Sequence, residues 1–289
     1  MSLALLVEVG RLRQERERER GGVSLQIPAQ EIEVDAAGKY TLTYRAMLAV
    51  EDYNAQISLL TGAAAARLML DARIGVLRTL PPADPGALRR LRRTARALRI
   101  GWPEDQAYPE FVRGLDPALP THAAMLNACT ELFRGAGYVA FDGELPEHTR
   151  HAALAVEYTH VTAPLRRLVD RFAGEVCVAL CAGEPIPDWA RSALPELPDL
   201  MAAAESRAKK YERAIIDLVE VSLLHDRVGD TFTGTVIDIE SDGRKGVVMV
   251  ADPAVQGRVR GAELSLGSEV ALRLSSADWE SGRVEFDLV

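Results

Sequence analysis

The chain has 289 residues, 48% of them apolar, and a formal net charge of −8. That length and apolar content suit one large or two modest globular domains, and the acidic balance excludes coating of nucleic acid by bulk charge while leaving room for a local basic groove. No apolar run reaches membrane-spanning length and no signal peptide is visible, so the expectation is a cytoplasmic protein with no membrane partner. Cys129, Cys177 and Cys181 form no Cys-x-x-Cys pair and no zinc-ligand spacing, and read as free thiols in a reducing compartment.

In chain order, Leu3 to Arg20 carries an apolar patch and then alternating Arg and Glu, which predicts a solvated helix with i,i+4 ion pairs, broken by Gly21-Gly22. Val23 to Ile27 alternates apolar and polar and predicts a strand stopped by Pro28; Ile32, Val34 and the run Tyr40 to Tyr44 predict a hairpin across Gly38. A long helix is expected from about Ala46 to Asp71, with Glu51 and Asn54 on one face and the alanines at 63–66 allowing another backbone to approach. Glu51 near its start suits the helix dipole. Ile74 to Leu80, closed by Pro81-Pro82, reads as a connector.

Asp84 to Ile100 holds Arg89, Arg90, Arg92, Arg93, Arg96 and Arg99 and keeps Leu88, Leu91, Ala95 and Leu98 at helical spacing. This predicts an amphipathic helix with a basic outer face, either simply solvated or tracking an RNA backbone. Two more helices are expected between Asp105 and Gly137, a strand at Tyr138 to Phe141, a loop from Pro187 to Pro198, and a long helix from Asp199 to His225. Five short alternating segments follow: Asp230–Ile239, Gly246–Val250, Gly257–Arg260, Ser268–Leu274 and Gly282–Leu288. Their glycine-rich turns predict a small OB-type barrel. Its aromatics are Phe232, Trp279 and Phe286, with Phe232 expected partly in the core, which makes a poor base-stacking surface.

The stretch Tyr158 to Asp170 carries the most chemistry. Thr162-Ala-Pro164 predicts a helix start, since proline presets the first turn and a small hydroxyl residue just before it can cap. The helix would run through Leu165, Leu168, Val169, Phe172 and Val176, with Arg166 and Arg167 in its first turns. Free backbone N–H groups and the dipole favour an anion there, and two guanidinium forks suit a phosphate better than a lone carboxylate. Asp170 lies one turn after Arg166 and can hold that side chain. His160 reads either as a base or as a structural donor. The same residues also fit an ordinary surface helix with two solvated arginines.

The skeleton Tyr158-x-His160-x-Thr162-x-Pro164-x-Arg166-Arg167-x-x-Asp170 resembles the late signature of the RNB domain, the catalytic domain of the RNase II and RNase R exoribonucleases. The family stretch usually reads His-Phe-Thr-Ser-Pro-Ile-Arg-Arg-Tyr-x-Asp; here Val161, Ala163, Leu165 and Leu168 stand in place of Phe, Ser, Ile and Tyr. The segment Arg20-Gly-Gly-Val-Ser-Leu25, the Leu77-Arg78 connector, Lys210-Tyr-Glu-Arg213 and the barrel opening Val228-Gly-x-x-Phe-x-Gly-x-Val236 resemble other parts of such chains.

The resemblance implies an α+β fold: a mostly helical RNB-type body at residues 1–226, then a five-stranded OB-type barrel at 227–289. It implies hydrolysis of single-stranded RNA from 3′ to 5′, giving nucleoside 5′-monophosphates. Arg166 and Arg167 are the implied catalytic residues, and Glu51, Thr162, Asp170, Glu212, Tyr158 and His160 the implied RNA-binding ones.

The family's reaction needs Asp-x5-Asp-x-Asp-Asp holding two Mg²⁺ ions, and no Asp-x-Asp-Asp occurs here. Mg²⁺ is expected for the complete family enzyme and none for this chain alone. Two accounts follow: a fragment or truncated form of an exoribonuclease, or a non-catalytic RNA-binding or scaffold protein on the same fold. Half a catalytic domain would also expose apolar surface and favour self-association. An all-helical interaction protein unrelated to RNA is the remaining alternative.

Overall fold

The computed structural model describes residues 2–27, 29–45, 47–240 and 243–289. In chain order the elements are α1 (Ser2–Glu19), β1 (Ala29–Val34), β2 (Tyr40–Arg45), α2 (Ala49–Ala72), β3 (Ile74–Thr79), α3 (Pro85–Ala97), α4 (Tyr108–Arg113), α5 (Pro120–Cys129), β4 (Gly137–Asp142), β5 (Arg150–His151), β6 (Val156–Glu157), α6 (Leu168–Ala182), α7 (Asp188–Ala193), α8 (Leu197–Leu224), and the strands β7 (Thr231–Ile239), β8 (Lys245–Val250), β9 (Val255–Arg260), β10 (Glu269–Asp278) and β11 (Arg283–Leu288). The α+β class with a closing barrel is as expected, and the barrel rules out the all-helical alternative. Contacts group the chain into two compact units. The first holds residues 1–24, 48–84 and 132–207, and the second 25–47, 85–131 and 208–289.

The first unit is built on α2. Ala66 and Met69 of this helix pack with Val76 and Leu77 of β3, Phe141 of β4, Val169, Ala173 and Val176 of α6, and Leu197 and Met201 of α8. The expected connector at 74–80 is therefore a buried strand. It pairs antiparallel with β4, Val76 opposite Ala140. Its uninterrupted apolar run Ile-Gly-Val-Leu is what a strand covered on both faces needs, so no alternation marked it. The strand expected at Val23 to Ile27 does not form; Val23 is buried, and its N–H donates to the Ala153 carbonyl at 2.7 Å instead of to a sheet.

The helix α1 differs from a solvated rod. Glu17 is buried and accepts from the Ser24 hydroxyl at 2.9 Å and from Gln56. The exposed ion pair Arg16–Glu19 is spaced i,i+3, not i,i+4. The expected loop at 187–198 contains the short helix α7.

The second unit is built on the barrel, closed in the order β10-β11-β9-β8-β7. The β9–β11 pair is parallel, Val259 opposite Phe286, and the other pairs are antiparallel. Valines 236, 248, 250, 255 and 259, Leu272, Leu274 and Phe286 fill the interior, joined by Leu42 of β2 and by Val221 and Leu224 of α8. Phe232 and Phe286 meet edge to face with centroids 5.8 Å apart, both buried, so Phe232 is core throughout. A Cβ at Gly257 would stand 2.5 Å from the Phe286 ring, which is why the strand narrows to glycine there.

The hairpin β1–β2 forms as expected, Ile32 opposite Leu42. On α3, two of the five arginines serve the fold: Arg90 pairs with Glu131, and Arg92 stacks 4.4 Å over Trp102 while donating to the Trp102 and Pro103 carbonyls at 3.3 and 3.2 Å.

Gly62 of α2 is a point of close approach in the first unit. Its carbonyl accepts the Thr159 N–H at 3.3 Å, and a Cβ there would lie 2.2 Å from the Tyr158 ring and 2.4 Å from the Thr159 carbonyl oxygen. Gly62→Ala is expected to destabilise the protein by about 1–3 kcal/mol, the usual cost of overfilling a packed contact. Thermal denaturation of the variant beside the parent measures it, and an unchanged midpoint would contradict the contact.

Candidate functional site

The Tyr158–Asp170 stretch folds as an extended approach, a turn, and then α6. The helix begins at Leu168, later than the sequence suggests. Residues 163–167 form a tight turn, with the Arg166 and Arg167 N–H groups both donating to the Ala163 carbonyl at 3.2 and 3.0 Å. Thr162 is exposed in the bend and caps nothing; the position before the helix is Arg167, in an extended conformation. Leu165, expected on an apolar helix face, is fully exposed.

The cause of the late start is Asp170. Its carboxylate is wholly buried and draws in three donors: the Ala163 N–H at 2.7 Å, Arg167 Nε at 2.8 Å and an Arg167 terminal nitrogen at 2.9 Å. Asp170 thus holds Arg167, not Arg166 as the one-turn spacing suggested. The pairing is bidentate and folds the chain back as a turn where a continuous helix would have carried it straight. Burial alone would lower the Arg167 pKa, and the hydrogen bonds and charge of Asp170 offset this and raise it. Arg166 is exposed, and its side chain makes no ion pair among the described residues.

Beside this turn lies an aromatic cluster. The buried Tyr158 ring meets the His160 ring edge-on at 5.3 Å, and His160 Nδ1 shares a 2.7 Å hydrogen bond with the Tyr138 hydroxyl. Arg78 completes the group: its guanidinium stacks 4.7 Å over the Tyr138 ring and pairs with Glu205 at 3.4 Å, while its backbone N–H donates to the Tyr158 carbonyl at 2.8 Å. Burial, and then the positive charge of Arg167, pull the His160 pKa down to about 4, and burial pulls His151 down to about 4 as well. His160 is therefore neutral at physiological pH and a weak base, which favours its reading as a structural partner of Tyr138.

The structure thus brings Tyr158, His160, Arg167 and Asp170 together and adds Arg78, Tyr138 and Glu205. The sequence located all three, Arg78 in the connector, Tyr138 at the start of the expected strand and Glu205 on the long helix, but gave none of them a role. Glu51 sits at the start of α2, where its carboxylate accepts the Leu48 N–H at 2.8 Å. Glu212 is exposed on the part of α8 that belongs to the second unit.

Among the described residues no group of three or more His, Cys, Asp or Glu is placed to hold a metal ion. Asp170, the buried acid of the site, has its oxygens engaged by nitrogen donors, so the residues present do not fit a Mg²⁺ ion.

The two low histidine pKa values set a pH dependence. Between about pH 6.5 and about 4 the unfolded chain takes up protons at His151 and His160 that the folded chain does not, so stability is full above 6.5 and declines as the pH falls. His160→Asn should flatten that decline in midpoint-against-pH curves from thermal melts. An undiminished slope in the variant would contradict the burial of a neutral His160.

Residues 1–176 match the family model described as RNB domain, and residues 230–289 match the model described as RNase II-type exonuclease C-terminal S1 domain. Ribonuclease R 2 of Lactococcus lactis is 23% identical over 173 residues, which is 50% of this chain and 25% of that protein. Ribonuclease R of Aquifex aeolicus is 27% identical over 168 residues, 50% of this chain and 24% of that protein. The chain thus covers about a quarter of the length of these two relatives. The apo form of Mycoplasma genitalium RNase R shares the fold with a TM-score of 0.84 at 17% identity, over 100% of this chain and 49% of that one. A structure of that same protein holds ribose-methylated single-stranded RNA. With the first model spanning residues 1–176 of 289, the chain belongs to the RNB family and carries an RNase II-type S1 barrel at its C-terminal end.

Proposed function

We propose that this chain is the RNA-gripping portion of an RNB-type 3′→5′ exoribonuclease acting on single-stranded RNA, with residues 1–226 as the RNB-type body and 227–289 as the RNA-binding barrel. Arg167 is the residue that contacts the phosphate at the reacting end, with the exposed Arg166 beside it. The observation carrying this reading is the Arg167–Asp170 pair. A guanidinium has five N–H donors, and two are spent on Asp170, which leaves three on a rigidly held fork at a surface turn. Tyr158, His160, Thr162, Glu51 and Glu212 are assigned to the RNA path on family resemblance.

In the complete family enzyme Mg²⁺ supplies the activated water for phosphodiester hydrolysis to nucleoside 5′-monophosphates; this chain's own residues bind and orient the strand. The free thiols Cys177 and Cys181 suit a reducing cytoplasm. The exposed side chains of Leu165 and Val178 favour self-association. A second reading, a non-catalytic RNA-binding or scaffold protein on the same fold, draws on the lack of a metal-holding group among the described residues.

Both readings require RNA binding through the turn. Arg167→Ala should weaken binding of a short single-stranded oligoribonucleotide ten- to a hundredfold, corresponding to roughly 1.5–3 kcal/mol for a charged phosphate contact. Arg166→Ala, at an exposed position that cannot disturb Asp170, serves as the second variant in the same anisotropy titration. Unaltered affinity in both would remove the turn from the RNA path. Rapid Mg²⁺-dependent release of nucleoside monophosphates by the purified chain would overturn the assignment of the metal chemistry to residues outside it.

A further inference from the structure

Within the second unit, the last turns of α8 and the strands β8, β9 and β11 border a cavity of 560 Å³. Arg213, Asp217 and Glu220 line it from α8, Arg258 from β9, and Gly282 and Arg283 from the start of β11. We propose that this cavity is a phosphate-binding site whose cations are Arg258 and Arg283.

The acids that line the cavity are already engaged. Glu220 is buried and accepts from the Gln30 side chain at 2.7 Å, the Gln256 N–H at 2.9 Å and Arg213 at 2.9 Å. Asp217 takes Arg213 Nε at 2.6 Å. Arg213 and the two carboxylates therefore form a closed network that builds the wall. Glu285, opposite Arg258 in the strand register, pairs with Arg260 at 3.3 Å. Asp278, opposite Arg283 in the strand register, accepts the Ser281 N–H at 3.0 Å; hydrogen bonds from Ser281 and then the charge of Arg283 hold its carboxyl below the usual range. Among the described residues Arg258 and Arg283 are exposed guanidiniums that make no close ion pair, Arg283 having only the solvated Asp278 near it, and both line a polar cavity of nucleotide size.

Two forked cations prefer the geometry of a phosphate to that of a single carboxylate. No aromatic side chain lines the cavity, and Phe232 and Phe286 are locked in the barrel core. The site therefore recognises charge and not the base. The phosphate comes either from a free nucleotide or from an RNA strand, and this site is independent of the Arg167 turn.

The test is a calorimetric titration of the full chain with inorganic phosphate, adenosine 5′-monophosphate, adenosine and a short oligoadenylate. The parent should bind the phosphate-bearing probes and not adenosine. The Arg258→Ala/Arg283→Ala double variant should bind them at least tenfold more weakly with an unchanged melting curve. Tight binding of the mononucleotide identifies a free nucleotide as the source, and binding of the oligomer alone identifies a strand; either supports the site. Absence of binding of every phosphate-bearing probe by the parent, equal binding by the double variant, or equal binding of adenosine would overturn it. So would loss of mononucleotide binding in Arg167→Ala while the double variant still binds.

Discussion

The buried carboxylate of Asp170 is the constraint on which the first unit's chemistry depends. A charge taken out of water costs several kcal/mol unless it is fully paired. Asp170 meets that demand with the Arg167 fork and the Ala163 N–H. The geometry of a surface turn is thereby dictated from inside the protein. Asp170 follows Val169, which is fully buried, on a helix anchored by Ala173 and Val176. The orientation of the guanidinium is thus inherited from the hydrophobic core. An arginine held this way loses little further rotamer freedom when it meets an anion, so less of the interaction is spent on ordering.

The surroundings keep the local charge constant. The Asp170 pairing raises the Arg167 pKa, while burial and the neighbouring cations keep His160 neutral down to about pH 4. Tyr138 joins the two halves of the cluster, receiving Arg78 on its ring face and His160 at its hydroxyl. A buried neutral His160 beside the Arg167–Asp170 pair suits a site that orients an anion by electrostatics.

Much of the architecture was legible in the residues. Helical spacing located α2, α3 and α8, and alternation with glycine turns located all five barrel strands. Legibility failed where tertiary demands overrode local pattern. The start of α6 was misjudged because Pro164 and Thr162 suit a helix start in isolation, while the pull of Asp170 on Ala163 and Arg167 acts through folding back. The strand β3 lacked alternation because it is covered on both faces. Val23 alternates properly with its neighbours yet finds a single carbonyl and no sheet. Arg78 and Tyr138 are far apart in sequence and meet only because β3 and β4 pair, Arg78 opposite Tyr138. No spacing rule reaches that far.

The closed ring of the second unit has a colloidal consequence. Open sheets end in rows of unsatisfied amide and carbonyl groups onto which a foreign chain can add, and that addition is how many β-rich proteins begin to polymerise. Here the parallel seam between β9 and β11 joins the two ends of the sheet, so the ring has no terminal strand to extend. Fibril growth by strand addition would first have to tear that seam, which gives the domain a kinetic defence against aggregation that does not rely on surface charge.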